Sequence, residues 1–199
     1  MSDDDPTSVH AGEAELRPPP APTVGFSARA DERMTRPLAT SQELLFSTPP
    51  MPLRQATVLD IDAMHAVRLA VRENALSDEN RVRPEHYRAI LEESGRGWVH
   101  EESDKVVAFG IADHAHRNIW ALFVAPGFEG QGIGSELLEV MVKWLFEQSR
   151  EPVWLTTERN TRAERFYSAA GWRAVGPAAD GEIRFELSAE DFPGRLTHD

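Results

Sequence analysis

Three glycines at alternate positions, Gly130, Gly132 and Gly134, lie between a strand-like run that ends at Val124 and a long amphipathic helix pattern. A helix N-terminus leaves backbone N–H groups without intrahelical acceptors, and the helix macrodipole is positive there. Glycines leave those groups unshielded, so the pattern predicts an anion site that is best suited to a phosphate or pyrophosphate. The glycines alone leave a second interpretation open, a flexible loop that only caps the helix.

Two common phosphate-binding motifs do not fit this loop. A Walker loop ends in Gly-Lys-Ser/Thr, which this sequence lacks. A dinucleotide-binding fold places its glycine loop after the first strand and continues through helical crossovers. Here the loop follows three strand-like runs, and the turn at Ser103–Lys105 predicts that they form an antiparallel meander. The loop therefore indicates a different fold.

The apolar patterns of the chain predict the strands and helices that must position this loop. Seven strand-like runs are Gln55–Leu59, Gly97–Glu101, Val106–Ala112, Ile119–Val124, Pro152–Thr157, Trp172–Val175 and Glu182–Leu187. Four helices are predicted, one capped by Asp60 that ends near Asn74, one from Pro84 to about Glu93, one that starts near Gly134, and Thr161–Ala170. The third helix would bury Leu137, Leu138, Met141, Val142 and Leu145.

Composition excludes several classes of function. The chain has 199 residues, a formal net charge of -12 and no cysteine. Without cysteine there is no disulfide framework, thiolate zinc site, iron–sulfur cluster or cysteine nucleophile. An acidic chain without clustered Lys and Arg is not typical of a nucleic-acid binder. No apolar run approaches the roughly 18 residues that span a bilayer, and the acidic start does not resemble a signal peptide. We therefore expect no nucleic-acid or membrane partner and a cytoplasmic protein.

Residues 1–52 differ in composition from the rest of the chain. They hold most of the 14 prolines and no long periodic apolar run. Such a segment cannot bury enough apolar surface to offset the entropy lost on ordering it. We predict a disordered, proline-rich N-terminal extension over residues 1–52, a folded domain over residues 53–190 and a C-terminal tail over residues 191–199. A partner-binding peptide around Leu44–Phe46 is the alternative for the extension.

The glycine loop resembles the pyrophosphate loop of the GNAT superfamily of acyl-CoA-dependent N-acyltransferases. That loop has the form Gln/Arg-x-x-Gly-x-Gly/Ala, and Glu129–Gly134 matches it except at the first position. A carboxylate at Glu129 would repel phosphate if it turned inward, so we expect it to face solvent. A second segment, Asn160–Trp172, is similar to the family's second CoA segment, with an Asn after a strand and then Phe-Tyr and Gly-Trp. The resemblance covers about Arg54–Ser188.

The resemblance implies a mixed α/β (α+β) fold, a mainly antiparallel sheet of about seven strands flanked by about four helices. It also implies acetyl-CoA as co-substrate and no metal. In the family, the strand before the loop bulges and splays from the next strand, and pantetheine fills the gap. The implied cofactor-binding residues are Leu122, Phe123, Val124, Glu129, Gly130, Gln131, Gly132, Ile133, Gly134, Ser135, Asn160, Ala163 and Phe166.

The implied reaction is direct attack of a primary amine, of a small molecule or a peptide, on the thioester of acetyl-CoA. The family's general acid, which protonates the departing thiolate, falls at Tyr167. Many relatives carry a glutamate base on the strand before the loop, but Ile119–Val124 contains no ionisable group. Asp113, His114, His116 or a water chain are therefore the open candidates for the base.

The resemblance places the acceptor beside the segment after the first helix, where Glu73 and Asn74 lie, and lets Arg184 reach an acceptor carboxylate. An ordinary surface position remains the alternative for Glu73 and Arg184. Because dimers are common in the family, a homodimer is one state that the resemblance allows. The second functional hypothesis is a catalytically inactive CoA-binding regulatory module. The missing strand glutamate keeps that hypothesis open, whereas Tyr167 favours an enzyme.

Overall fold

Seven strands form one sheet in the computed structural model, which describes residues 53–71 and 82–193. The strands are β1 (Leu53–Gln55), β2 (Gly95–Glu102), β3 (Lys105–Asp113), β4 (Asn118–Val124), β5 (Val153–Glu158), β6 (Arg173–Pro177) and β7 (Glu182–Leu187). Their order across the sheet is β1-β2-β3-β4-β5-β7-β6. All neighbours are antiparallel except β4 and β5, which are parallel.

Helices cover both faces of this sheet. Within the described ranges the α-helices are α1 (Ile61–Ala70), α2 (Pro84–Ala89), α3 (Ile133–Gln148) and α4 (Arg162–Ala169). α1 and α2 bury one face, and α3 and α4 bury the other. Because successive strand residues point to opposite faces, Phe123 packs toward α1 while Leu122 and Val124 pack toward α3. The predicted fold class is confirmed.

α3 begins directly after the glycine loop and buries the face that its sequence pattern predicts. Its predicted core positions are at most 5% exposed, namely Leu137, Leu138, Met141, Val142 and Leu145. The residue before its first turn, Gly132, has a φ of 89°. Only glycine adopts this left-handed conformation without a steric penalty from Cβ, so Gly132 lets the chain turn sharply from the loop into the helix.

The structure corrects the prediction at the first strand and the first helix. β1 ends at Gln55, and Val58–Asp60 form a 3-10 turn that leads into α1. Asp60 holds the N-cap position of α1, as predicted, but its side chain makes no capping hydrogen bond to that helix. Thr57 caps the 3-10 turn, and the Asp60 carboxylate accepts the backbone N–H of Thr57 at 2.7 Å. Asp60 also forms an ion pair with Arg54 at 2.8 Å, and the hydrogen bonds from Arg54 lower the pKa of Asp60 to about 2. The carboxylate therefore completes the capping box of the 3-10 turn and ties that turn to the first strand.

The predicted domain boundaries stay predictions. The extension over residues 1–52 lies outside the described residues. Near the other boundary, Phe192 packs against Phe146 with ring centres 5.7 Å apart, so packing continues into the segment predicted as a tail. Within the two described ranges, no helix is both long and apolar enough to cross a membrane.

Candidate active site

The sheet has a seam between β4 and β5, where neighbouring strands separate. The two strands pair at Asn118 and Trp154, and the N–H of Trp154 donates to the carbonyl of Arg117 at 3.0 Å. Beyond this point β5 pairs along its whole length with β7, and β4 pairs with β3. Because β4 and β5 are parallel and meet near their N-termini, a gap opens toward their C-terminal ends. This opening is the β4–β5 gap.

The backbone groups of Leu122 and Val124 face the β4–β5 gap. Across the β3–β4 pair, the N–H of Ala125 donates to the carbonyl of Val107 at 2.8 Å. Successive residues of a strand direct their N–H and C=O groups to opposite edges. The backbone groups of Phe123 therefore also point toward β3, whereas those of Leu122 and Val124 point toward β5. An extended, amide-containing ligand in the gap would therefore find strand-type partners at two of the three predicted residues.

A bulge lies on β4 close to the point of separation. The register with β3 shifts so that Trp120 has no partner in the ladder, while Ile119 and Ala121 are both paired. A bulge increases local twist and bends the strand that carries it. The bulge and the separation that the resemblance implied are therefore both present.

The glycine loop lies at the wide end of the gap, directly after β4. Gly127, Gly130 and Gly132 have φ angles of 96°, 75° and 89°. A Cβ on any of them would meet no atom within 4 Å. Backbone conformation, rather than crowding, therefore demands glycine here, and the space above the loop is open to a ligand.

The start of α3 presents free backbone donors to that space. Ser135 and Glu136 donate their N–H groups to the carbonyl of Gly132, both at 3.0 Å. The N–H groups of Gly132, Ile133 and Gly134 have no acceptor among the described residues. Free amides at the positive end of a helix of this length are suited to bind a phosphate or pyrophosphate.

Glu129, the departure from the family's loop pattern, turns back onto its own loop rather than toward solvent. A carboxylate oxygen accepts the N–H of Gly127 at 2.6 Å, and the side chain is partly buried. The Gln131 amide donates to the carbonyl of Gly127 at 3.4 Å. Both side chains therefore stabilise the loop. The N–H group of Gly127 donates to Glu129, so it is not free to bind a ligand.

Tyr167 lies on α4 with its ring in the core. Its ring centre is 5.9 Å from that of Trp172 and 6.2 Å from that of Phe185, and the residue is 3% exposed. Burial raises the pKa of Tyr167 well above the value of a free tyrosine, and no charged neighbour offsets this effect in the described residues. The phenol therefore stays protonated at neutral pH, as a hydrogen-bond donor must.

The rest of the second CoA segment is placed around the start of α4. Asn160 is exposed, with a φ of 61°, in the turn between β5 and α4. Ala163 is fully buried in the core, and Phe166 is half-buried beside Tyr167. Asn160 is therefore open to a ligand, Phe166 is partly so, and Ala163 contributes to packing.

A pocket of about 420 Å³ lies between α3 and α4. Two of the predicted cofactor-binding residues, Ser135 and Phe166, line it together with the aromatic rings of Trp172 and Phe192. Since Ser135 lies in the first turn of α3, the pocket adjoins the free amides of the loop.

Thr157 is a candidate site residue that the sequence motifs did not indicate. It lies on β5 and is fully buried, and its Oγ1 has no hydrogen-bond partner among the described residues. Buried polar groups are nearly always hydrogen-bonded, so this hydroxyl fits an amide-containing ligand beside β5, such as pantetheine. A period-two pattern could have indicated it, because Thr157 falls on the same face of β5 as the core residues Val153 and Leu155.

The predicted acceptor residues are placed only in part. Glu73 and Asn74 lie outside the described residues. The guanidinium of Arg184 lies 4.3 Å from the ring centre of Trp154, and its Nε is 3.0 Å from the carboxylate of Glu186. The charge of Arg184 is therefore already paired on the sheet.

The candidate bases lie at the far end of β4 from the glycine loop. The Asp113 carboxylate accepts backbone N–H groups of the β3–β4 turn and lies 2.7 Å from Nδ1 of His116. His114 and His116 precede Asn118, whereas the backbone groups that face the β4–β5 gap begin at Leu122, roughly 13 Å further along the strand. The structure does not bring these side chains to the loop. In the described residues, no group of three His, Asp or Glu could hold a metal ion.

Comparison with known proteins identifies a family. Residues 62–172 match the model of the acetyltransferase (GNAT) family. A curated relative from Archaeoglobus fulgidus, described as an uncharacterized N-acetyltransferase, is 41% identical over 64 residues, 32% of this chain and 44% of that relative. The matched region therefore spans less than half the length of that relative.

Solved structures share the fold at low sequence identity. A GNAT-family acetyltransferase from Staphylococcus aureus has a TM-score of 0.60 at 17% identity, covering 68% of this chain and 97% of that one. A ribosomal-protein-alanine N-acetyltransferase from Brucella melitensis has a TM-score of 0.56 at 19% identity, covering 68% and 98%. A PaiA N-acetyltransferase from Thermoplasma acidophilum, in complex with coenzyme A, has a TM-score of 0.56 at 14% identity, covering 68% and 97%. At these identities the similarity shows the fold alone.

Proposed function

Because the chain belongs to the GNAT acetyltransferase family, we propose that it transfers the acetyl group of acetyl-CoA to a primary amine of a small molecule or peptide. The observation that carries this proposal is the β4–β5 gap, where the backbone groups of Leu122 and Val124 face no neighbouring strand. The free amides of the glycine loop lie at its wide end. One elongated ligand with amides at one end and a pyrophosphate further along matches both features.

The chain offers partners for each part of such a ligand. The N–H groups of Gly132, Ile133 and Gly134 would hold the pyrophosphate. Along the gap, the backbone of Leu122 and Val124 and the hydroxyl of Thr157 would hold the pantetheine amides. The solved relative from Thermoplasma acidophilum that contains coenzyme A supports this choice of co-substrate.

The transfer requires that the amine nitrogen bonds to the thioester carbon while the carbon–sulfur bond breaks. The nitrogen loses one proton, and the sulfur gains one. A backbone N–H of Leu122 or Val124 would donate to the thioester oxygen as negative charge develops on it. Tyr167 would donate a hydrogen bond to the departing sulfur, since burial keeps its phenol protonated.

A protein base is not needed for this scheme. β4 has no ionisable side chain, and the Asp113 and His116 pair lies at the other end of the strand. The nitrogen proton would therefore leave through water. In the described residues nothing favours an inactive CoA-binding module over an enzyme.

The test has two stages. Calorimetry should show that the full chain binds acetyl-CoA. Thiol release and mass spectrometry should then show acetylation of at least one member of a panel of small amines, polyamines, amino acids and peptides with free N-termini. Binding without transfer to any member would identify the inactive module, and absence of binding would contradict the proposal.

A further inference from the structure

A guanidinium is buried on the face of β4 opposite α3 and α4. Arg68 lies on α1 and is 4% exposed, and none of its three side-chain nitrogens makes a hydrogen bond of normal geometry among the described residues. The hydroxyl of Tyr87 interacts with the guanidinium and offsets only part of the lowering of its pKa by burial. Its Cζ lies 5.4, 5.0 and 4.6 Å from the ring centres of Tyr87, Trp120 and Phe123. Arginine is almost never buried unless it is paired, so this cage of rings requires a reason.

No carboxylate in the described residues compensates this charge. The titratable side chains that face it are His65 on α1 and Tyr87 on α2, both of which are neutral when Arg68 is charged at neutral pH. β3 and β4 present only apolar and aromatic side chains to it. Asp60, at the start of the same helix, is engaged by Arg54. Burial lowers the pKa of Arg68 to about 10, which still leaves it positive at neutral pH.

The cage contains a second buried donor. Nε1 of Trp120 is buried and has no partner among the described residues. An indole N–H and a guanidinium can only donate. Among the described residues, no acidic side chain neutralises the positive charge on this side of β4.

The charge of Arg68 lies one aromatic ring away from the gap-lining strand. The ring of Phe123 separates the guanidinium from β4, at 4.6 Å from Cζ. The residues on either side of Phe123 are Leu122 and Val124, whose backbone groups face the β4–β5 gap. Apolar surroundings screen a charge poorly, so its field reaches the part of the gap where the thioester would lie.

We propose that Arg68 stabilises the negative charge that forms on the thioester oxygen and then on the sulfur in the β4–β5 gap. This inference rests on the proposed function. No bond forms or breaks at Arg68, and it neither gives nor takes a proton. Its field would also disfavour the ammonium form of an amine beside it, which suits a strand that carries no base.

Arg68→Met removes the charge and keeps an unbranched apolar chain. Its melting temperature reports the balance between the cost of burying the charge, which lowers the pKa of Arg68, and the attraction of the three aromatic ring faces for the guanidinium. The melting temperature therefore only establishes that the variant folds, and the readings below decide the role of Arg68.

The decisive measurements need no acceptor. The first is the pKa of the thiol of bound coenzyme A, followed by thiolate absorbance. The second is the infrared carbonyl stretch of bound [1-13C]acetyl-CoA. In the wild-type protein the thiol pKa should lie below that of free coenzyme A, and in Arg68→Met it should rise by roughly one unit. The carbonyl stretch should move to higher frequency in Arg68→Met, and Arg68→Lys should retain most of both effects.

Arg96→Met is the matched control, because Arg96 also stacks on an aromatic ring, 5.1 Å from the centre of Trp144, but lies on β2. Arg96→Met should change neither the thiol pKa of bound coenzyme A nor the carbonyl stretch of bound acetyl-CoA. An Arg68→Met protein that binds coenzyme A normally, with wild-type thiol pKa and carbonyl frequency, would overturn the inference. If Arg68→Met does not fold, the test uses the wild-type protein alone. A thiol pKa of bound coenzyme A that is equal to or above that of free coenzyme A would then overturn the inference. Absence of coenzyme A binding to the wild type would instead contradict the proposed function, and the inference with it.

Discussion

The two ends of β4 differ in how their backbone polar groups are satisfied. At the N-terminal end, the guanidinium of Arg117 donates to the carbonyls of Leu145 and Ser149 at 2.6 and 2.8 Å, and also to that of Glu151. The indole of Trp154 donates to the carbonyl of His116 at 2.8 Å. At the C-terminal end, three consecutive amides of the glycine loop and α3 have no acceptor in the described residues.

This difference separates structural polar groups from those that await a ligand. The N-terminal end of β4, here the closed end, contains Asp113, His114 and His116. Their side-chain types suggest catalysis, but their hydrogen bonds hold a turn together. The C-terminal end of β4 with the glycine loop, here the open end, contains mostly glycines, which have no reactive side chain. Unpaired backbone groups therefore indicate the ligand site better than residue type does.

The largest effect is expected at the open end from Tyr167→Phe, which keeps the ring and removes the donor. The kcat should fall about 10- to 1000-fold, because the hydroxyl matters most as charge develops on sulfur. Acetyl-CoA affinity and melting temperature should stay near wild type. Since burial raises the pKa of Tyr167, the wild-type kcat should show no loss from tyrosine ionisation up to pH 10. A phenylalanine variant with wild-type kcat, where chemistry limits the rate, would make Tyr167 a packing residue.

Gly132→Val should weaken acetyl-CoA binding by roughly 30- to 100-fold, equivalent to about 2–3 kcal/mol of lost hydrogen bonds to a charged group. A branched residue disfavours a φ of 89° and would shield the amides. Gly181→Val is the matched control, because Gly181 has a φ of 82° in the β6–β7 turn, away from the loop. Calorimetry should show the affinity loss for Gly132→Val alone. Equal losses in both variants would attribute the effect to general strain.

At the closed end, Arg117→Met should lower the free energy of unfolding by about 2 kcal/mol, because buried carbonyls lose their donor. Acetyl-CoA affinity should change less than about twofold, since Arg117 lies at the far end of β4. Urea denaturation measures the first quantity and calorimetry the second. Arg150→Met, at an exposed position after α3, should stay within about 0.5 kcal/mol of wild type. A large loss of affinity in Arg117→Met would show that the two ends are coupled.

The smallest effect is expected from His116→Ala. If His116 only orders the turn through Asp113, kcat should change less than about twofold, and the pH dependence of kcat should keep its shape. The bond from Trp154 reaches the backbone carbonyl of His116, so the substitution leaves it in place. Loss of the acid limb of the kcat profile in His116→Ala would identify the histidine as the base and remove the contrast between the two ends.

Local patterns were sufficient to predict the elements around the open end. The glycine spacing and the amphipathic repeat placed the start and buried face of α3, and both are confirmed by the structure. Asn160–Trp172 likewise indicated a helix after β5, observed at Arg162–Ala169. The positions of these helices depend on residues that are close in sequence, and the spacing of apolar residues along the sequence indicates such helices directly.

The seam and the buried arginine depend on contacts between distant parts of the chain. β4 and β5 pair at a single position, while β5 pairs along its other edge with β7, and no local pattern reveals either arrangement. Arg68 falls on the same face of α1 as Met64 and Ile61, but a charge on such a face is usually assigned to the rim of the helix. Only the rings contributed by α2 and β4 show that Arg68 is enclosed.

The single pairing at Asn118 and Trp154 has a consequence for how long the protein survives. It joins β1–β4 to β5–β7 through little backbone hydrogen bonding, so local opening should begin there and expose cleavable chain. A ligand that bridges the two halves raises the free energy of opening with its concentration, by about 2.7 kcal/mol at one hundred times its dissociation constant. Resistance to proteolysis would then rise with the concentration of that ligand, so the lifetime of the folded chain would report how much of the ligand is present.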